Sequence, residues 1–197
     1  MRKSQFIFVL MLSTSFATMA RADDDTSSLA KCLAAQEGNC EQIGNSGTYY
    51  TLSGDEGNQT MTIYGTSGST AATVPEEAFY FWDDEDESEM STFPAGVTSL
   101  KIFGNVDIGE SAFEGATGLT SVDLSGVQTI GNEAFYGATG LTSIDLSGVK
   151  TIGYQAFAEA TGLTSANLTD VETIGEGAFQ YATGLTSANL TGVQTIG

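Results

Sequence analysis

The chain has 197 residues, 41% of them hydrophobic, and sets six Lys or Arg against 25 Asp or Glu for a formal charge of −19. That composition supports one or two cored domains and argues against nucleic acid or an anionic membrane as partner, because both are held through Lys and Arg. There is no His, so the usual base of a Ser or Cys triad and the commonest metal ligand are missing, and neither an enzyme nor a cofactor is expected.

At the start, Arg2 and Lys3 precede an apolar run from Phe6 to Leu12, and Ala20, Arg21 and Ala22 form a small-residue site before Asp23. Residues 1–22 therefore read as a secretory signal peptide. The run is far shorter than the roughly 20 residues a membrane-spanning helix needs.

Residues 23–73 read as an N-terminal cap. Cys32 and Cys40 are the two cysteines, and export places them where disulfides form. A Cys32–Cys40 bridge would close the short turn LAAQEGN; a metal or reactive thiol pair would lack both His and CxxC spacing. YYTLSGDEGNQTMTIY, Tyr49 to Tyr64, alternates around a Gly- and Asn-rich centre and predicts a β-hairpin. Its last part, MTIYG, resembles LKIFG at Leu100 to Gly104, so Met61 to Tyr64 is a candidate first strand of a solenoid.

Residues 74–95 read as a degenerate repeat. VPEEAF at Val74 to Phe79 looks like an early copy of a later phrase, IGxxAF, and the extra length falls on WDDEDESE, Trp82 to Glu89. No buried strand could hold so many carboxylates, which predicts a solvated loop. A Ca²⁺ loop would need the DxDxDG spacing that is missing here.

Residues 96–197 are a repeat array. Ile108, Ile130, Ile152, Ile174 and Ile196 each precede a Gly at intervals of 22 residues, and a fixed period of that size means a solenoid whose units cover one another's apolar faces. Leu141, Ile144 and Leu146 give the LxxLxL pattern of a strand. Ala134 and Phe135 sit in a segment long enough for a short helical turn. Phe113, Phe135, Phe157 and Phe179 then form a buried column. The fold class is an α/β repeat solenoid, mostly β and coil, with parallel sheet, short helical turns and an N-terminal disulfide cap.

The phrase IGxxAF followed by LTSxxL resembles the BspA-like type of leucine-rich repeat, from Gly96 to Gly197. Many members carry Cys where this chain has Ala116, Ala138, Ala160 and Ala182, and often Pro after the strand where it has Ser or Thr. The resemblance implies a secreted or surface-displayed protein, with adhesins and host-binding proteins among its relatives and no catalytic residues to carry over.

On a strand, neighbours alternate faces, so inward Val122 and Leu124 send Ser121 and Asp123 outward. The candidate binding face is thus Ser121, Asp123, Ser143, Asp145, Ser165, Asn167, Ser187 and Asn189, continued by Ser99 and Lys101. It is polar and flat and contains no aromatic anchor. Asp123 and Asp145 would repel by about 0.8 kcal/mol in water, a cost that Lys101 can offset and that does not demand a cation. NLT at Asn167 and Asn189 and NQT at Asn58 match glycosylation acceptors, with Asn58 the better candidate. Gly197 falls two residues into a further unit, which suggests a longer array, or end-to-end self-association if the array stops there. The expectation is a secreted, non-catalytic module for an extracellular protein or surface ligand; the alternative is a protein that binds ice, mineral or glycan through stacked Ser, Asp and Asn.

Overall fold

A computed structural model describes residues 41–43, 48–55, 57–65, 72–74, 80–83, 88–91, 93 and 96–197. The signal peptide, Cys32, Cys40 and the phrase following Val74 lie outside the described residues. All regular structure among the described residues is strand.

Two rows of parallel strands form two sides of the solenoid. The first begins with the antiparallel strands β1 (Glu41–Ile43), β2 (Thr48–Asp55) and β3 (Asn58–Tyr64). After β4 (Ala72–Val74), an antiparallel ribbon of β5 (Tyr80–Asp83) and β6 (Ser88–Ser91) intervenes. Strand β7 (Val97–Phe103) then lies parallel to β3, pairing Met61 with Leu100 and Tyr64 with Phe103. Past β8 (Val106–Ile108), β9 (Ser121–Asp123) pairs with β7. The row resumes as β11 (Ser143–Asp145), β13 (Ser165–Asn167) and β15 (Ser187–Asn189). The second side runs β4, β8, β10 (Val127–Ile130), β12 (Thr151–Ile152), β14 (Thr173–Ile174) and β16 (Thr195–Ile196).

The expected loop at Trp82 to Glu89 is thus partly strand: Trp82 pairs with Glu89 and Asp83 with Ser88, with residues 84–87 outside the described set. The objection to carboxylates applies to buried strands, and this ribbon is separate from the two long sheets.

The third side departs from the sequence expectation. The segment carrying Ala134 and Phe135 is a turn, not a helical one. Glu133 has φ 52° and Gly137 φ 67°, with Ser111 and Gly115, then Gln155 and Glu159, in the same left-handed state one coil either side. A right-handed helix cannot pass through such residues. Their effect is to turn alternate N–H groups outward from the coil, onto the next one: Phe113 N–H donates to Ala134 C=O at 2.8 Å, Phe135 to Ala156 at 2.8 Å and Phe157 to Ala178 at 2.7 Å. In a helix interior such donors bond within their own segment; here they join coils.

Inside the three sides lies a continuous apolar core. Phe113, Phe135 and Phe157 are fully buried and stack with centroids 5.1 and 5.2 Å apart; Phe179 continues the stack at 5.4 Å, and Phe93 meets Phe113 edge-on at 5.7 Å. Each buried ring contributes about 2 to 3 kcal/mol. Such close stacking of coils requires glycine in one column: a Cβ on Gly153 would lie 2.5 Å from the carbonyl carbon of Gly131.

Candidate functional site

The first sheet side presents its outward residues in register. Ser143, Ser165 and Ser187 are aligned, as are Asp145, Asn167 and Asn189. Ser99 aligns with Ser121 and Lys101 with Asp123; Thr60 continues the serine column on β3, while Thr62, in register with Lys101, is buried. Six of the eight predicted side chains, Ser143, Asp145, Ser165, Asn167, Ser187 and Asn189, line one shallow concavity of about 640 Å³. Asp123 belongs to a smaller notch of about 230 Å³ with Ser125, Asp145 and Ser147. Ser121 is exposed beside it.

The two columns are not chemically equivalent. The Asp and Asn side chains are largely occupied in holding the bend after each strand. Asp123 Oδ1 accepts from Ser125 N–H at 3.0 Å and from its hydroxyl at 2.5 Å. Asp145 Oδ1 accepts from Ser147 N–H at 3.0 Å. Asn167 takes Thr169 N–H at 3.2 Å and its hydroxyl at 2.7 Å, and Asn189 binds Thr191 at the same two distances. Each is an Asx turn, in which a short polar side chain replaces a backbone acceptor two residues away. The column is also bonded along its length: Asn167 Nδ2 donates to Asp145 Oδ1 at 2.9 Å, and Asn189 Nδ2 to Thr169 Oγ1 at 2.8 Å. Donors converging on Asp145, the Ser147 N–H first, then the Ser147 hydroxyl and Asn167, hold its carboxyl below the usual value despite some burial.

The serines are different. Thr120, Thr164 and Thr186, one residue earlier, turn their hydroxyls back onto the carbonyls of Thr98, Thr142 and Thr164 at 3.0, 2.8 and 3.1 Å. The hydroxyls of Ser121, Ser143, Ser165 and Ser187 make no hydrogen bond with a described residue. They are the unspent donors and acceptors of the face. Among the described residues, both donors to Asp123 go to Oδ1 and none to Oδ2.

Two expectations about this face change. Lys101 stands next to Asp123 in register, yet the ion pair among the described residues is Lys150 with Glu172 at 3.5 Å; Asp123 is served by Ser125 instead. And the face does have an aromatic residue. Phe103 is 45% exposed, with the ring of Tyr64, its in-register neighbour on β3, at 6.1 Å and tilted 31°. Alignment of LKIFG on VDLSG puts Phe103 over Ser125, so the signal lies in the outward letters of the sequence rather than in its apolar periodicity.

The turn side carries a second polar cluster. Tyr136 Oη donates to Glu159 Oε1 at 2.6 Å across adjacent coils. That bond, with weaker contributions from burial and from Glu159, Glu114 and Glu133, pushes the phenol up to about 12. The Glu133 carboxyl is raised by burial first, then by Glu114 and Glu110.

Comparison with known proteins places this geometry. No curated protein matches the chain. Among solved structures, the chain is similar to a leucine-rich cell surface protein from Faecalibacterium prausnitzii, with TM-score 0.52 and 22% identity over 81% of this chain and 45% of that one. It also matches a leucine-rich repeat protein of T. pallidum, with TM-score 0.44 and 21% identity over 75% of this chain and 82% of that one. The chain thus spans somewhat under half the length of the first structure, and the likeness to it concerns the fold alone. The family model for the BspA type leucine-rich repeat region matches residues 89–197 in six copies, and the chain belongs to the BspA-type leucine-rich repeat family.

Proposed function

We propose that the chain is a non-catalytic interaction module, secreted or displayed at a cell surface, that binds an extracellular protein or surface ligand through the outward face of its first sheet side. The observation that carries the reading is the aligned series Ser121, Ser143, Ser165 and Ser187, whose hydroxyls bond to no described residue while the neighbouring Thr hydroxyls and Asx turns are bonded within the protein. A flat array of small polar groups favours many weak contacts over one deep pocket. Membership of a repeat family, the cell-surface description of the F. prausnitzii protein and the signal-peptide pattern of residues 1–22 support export. On this reading, Cys32 and Cys40 form their bridge after export.

The test replaces Ser143 and Ser187 with Tyr, which an exposed strand position tolerates. Extracellular partners captured by the native chain should be lost from the Ser143→Tyr, Ser187→Tyr variant; equal capture by both proteins would contradict the proposal. An ice or mineral lattice binder is a second reading, favoured by the repetition of one hydroxyl at strand spacing. Thermal hysteresis by the purified chain, abolished by the same substitutions, would select it.

A further inference from the structure

Phe103 is an apolar side chain exposed on an otherwise polar sheet face, with the ring of its in-register neighbour Tyr64 beside it on β3. Gly126 packs against the backbone of Gly104, which sets the neighbouring Ser125 beside Phe103. The next strand is where the first sheet side loses its ladder: β9 ends one hydrogen-bonded sheet and β11 begins another, although the two strands still touch. At that lapse lies the notch of about 230 Å³ lined by Asp123, Ser125, Asp145 and Ser147. Both carboxylates line it. The cation nearest in register, Lys101, makes no ion pair with a described residue.

We propose that Phe103 and the Asp123–Asp145 notch dock an extended segment of a partner protein, with an apolar side chain against Phe103 and a Lys or Arg side chain in the notch. The inference rests on reading this face as the interaction surface and specifies the chemistry of what it takes. An ammonium or guanidinium brings three to five donors, matching two carboxylate oxygens and two serine hydroxyls. Two carboxylates alone fall short of the roughly six to eight oxygens that Ca²⁺ requires. Spacing sets the motif. Strands lie about 4.8 Å apart, so the middle of the notch is about 7 Å from the strand of Phe103. An extended chain advances about 3.3 Å per residue and points residues i and i+2 the same way. The apolar and basic residues are therefore two positions apart.

The probe is an acetylated, amidated hexapeptide with Leu and Arg two positions apart. Its controls replace Arg with neutral citrulline, or Leu with Ser. Titration of the full chain is followed by backbone amide NMR shifts. The Leu–Arg peptide should perturb Phe103, Asp123 and Asp145, and its affinity should fall with added salt. The Asp123→Asn, Asp145→Asn variant should lower that affinity at least tenfold and Phe103→Ser several-fold, while Tyr154→Ser, at an exposed position on the turn side, leaves it unchanged. The Asn variant keeps the Asx turns, because the chain itself uses Asn167 and Asn189 in that role, so its effect reports on charge rather than folding. Equal binding of the citrulline peptide, or no loss in the Asn variant, overturns the proposal. So does a response to CaCl₂ alone, or to a glycan in a Phe103-dependent but charge-independent way. If the peptides fail while Ser143→Tyr, Ser187→Tyr still abolishes partner capture, the docking inference falls and the interaction surface stands.

Discussion

Phe135 and Phe157, from successive coils, stack with centroids 5.2 Å apart and planes 3° from parallel. Neither ring could be buried by its own coil, so removing one opens a void that the coils on both sides share. Phe135→Ala should cost about 3 to 5 kcal/mol, a large part of the roughly 5 to 15 kcal/mol that stabilises a domain. The urea midpoint should drop accordingly, and a shift corresponding to less than about 1 kcal/mol would mean that the column is not continuous.

Gly153 is fixed by the approach of Gly131, whose carbonyl carbon would sit 2.5 Å from an added Cβ. Backbone cannot move aside as a flexible side chain can. Gly153→Ala should cost about 1 to 3 kcal/mol as overpacking, measured by thermal or urea unfolding. Gly137→Ala is the contrast: its Cβ meets open space, leaving only the milder penalty of its left-handed φ of 67°.

Asp170 occupies a bend position that Gly126, Gly148 and Gly192 fill in other coils, and it holds φ at 70°. Asp tolerates the left-handed region better than most residues, but glycine enters it without steric cost. Asp170→Gly should therefore be neutral or stabilising by up to about 1 kcal/mol, and Gly148→Asp destabilising. Opposite signs in paired melts would refute the strain argument.

The ionisation of Tyr136 should show in a spectrophotometric titration. Its phenol is raised to about 12 from the ordinary value of 10.0, so the stabilising bond to Glu159 is complete below 10 and is lost as pH rises through about 12. The difference between native chain and Tyr136→Phe isolates this one phenol. Glu159→Gln should move its midpoint down toward the ordinary value.

Glu133 has the opposite relation to pH from an ordinary surface carboxylate. Its raised value, caused by burial and then by Glu114 and Glu110, means that ionising it opposes folding. The favourable contribution is present while it is protonated and disappears as pH rises through its folded value. Glu133→Gln should thus stabilise the chain at neutral pH, with the difference closing in acid. A stability gap that persists unchanged at low pH would assign the effect to something other than charge.

The buried half of each coil is legible in the sequence because burial is periodic: Ile130, Phe135, Leu141, Ile144, Leu146 and Val149 each recur in kind at the same interval, and all are buried. The turn is not, because handedness of φ leaves no trace in residues such as Ser111, Glu133 and Gln155; Gly115, Gly137 and Gly177 are the hints among the described residues. Alternation finds the outward face but is silent on its internal bonding. That bonding has its own signal: DLS and NLT, at the ends of β9, β11, β13 and β15, place an Asx two residues before Ser or Thr, which marks an Asx turn. At Asn167 and Asn189 the letters of a glycosylation acceptor also spell a bend. Phe103 is legible by alignment alone.

The bonds between coils on the turn side have one further consequence. Ser111, Phe113 and Gly115 donate to Asn132, Ala134 and Tyr136; Glu133, Phe135 and Gly137 donate to Tyr154, Ala156 and Ala158; Gln155, Phe157 and Glu159 donate to Glu176, Ala178 and Gln180. All nine point the same way along the solenoid axis. Peptide dipoles aligned head to tail add, as they do in a helix, so this wall of the solenoid is an electret running across the coils, assembled from peptide groups far apart in sequence. Lengthening the array would strengthen its axial polarity without reversing it.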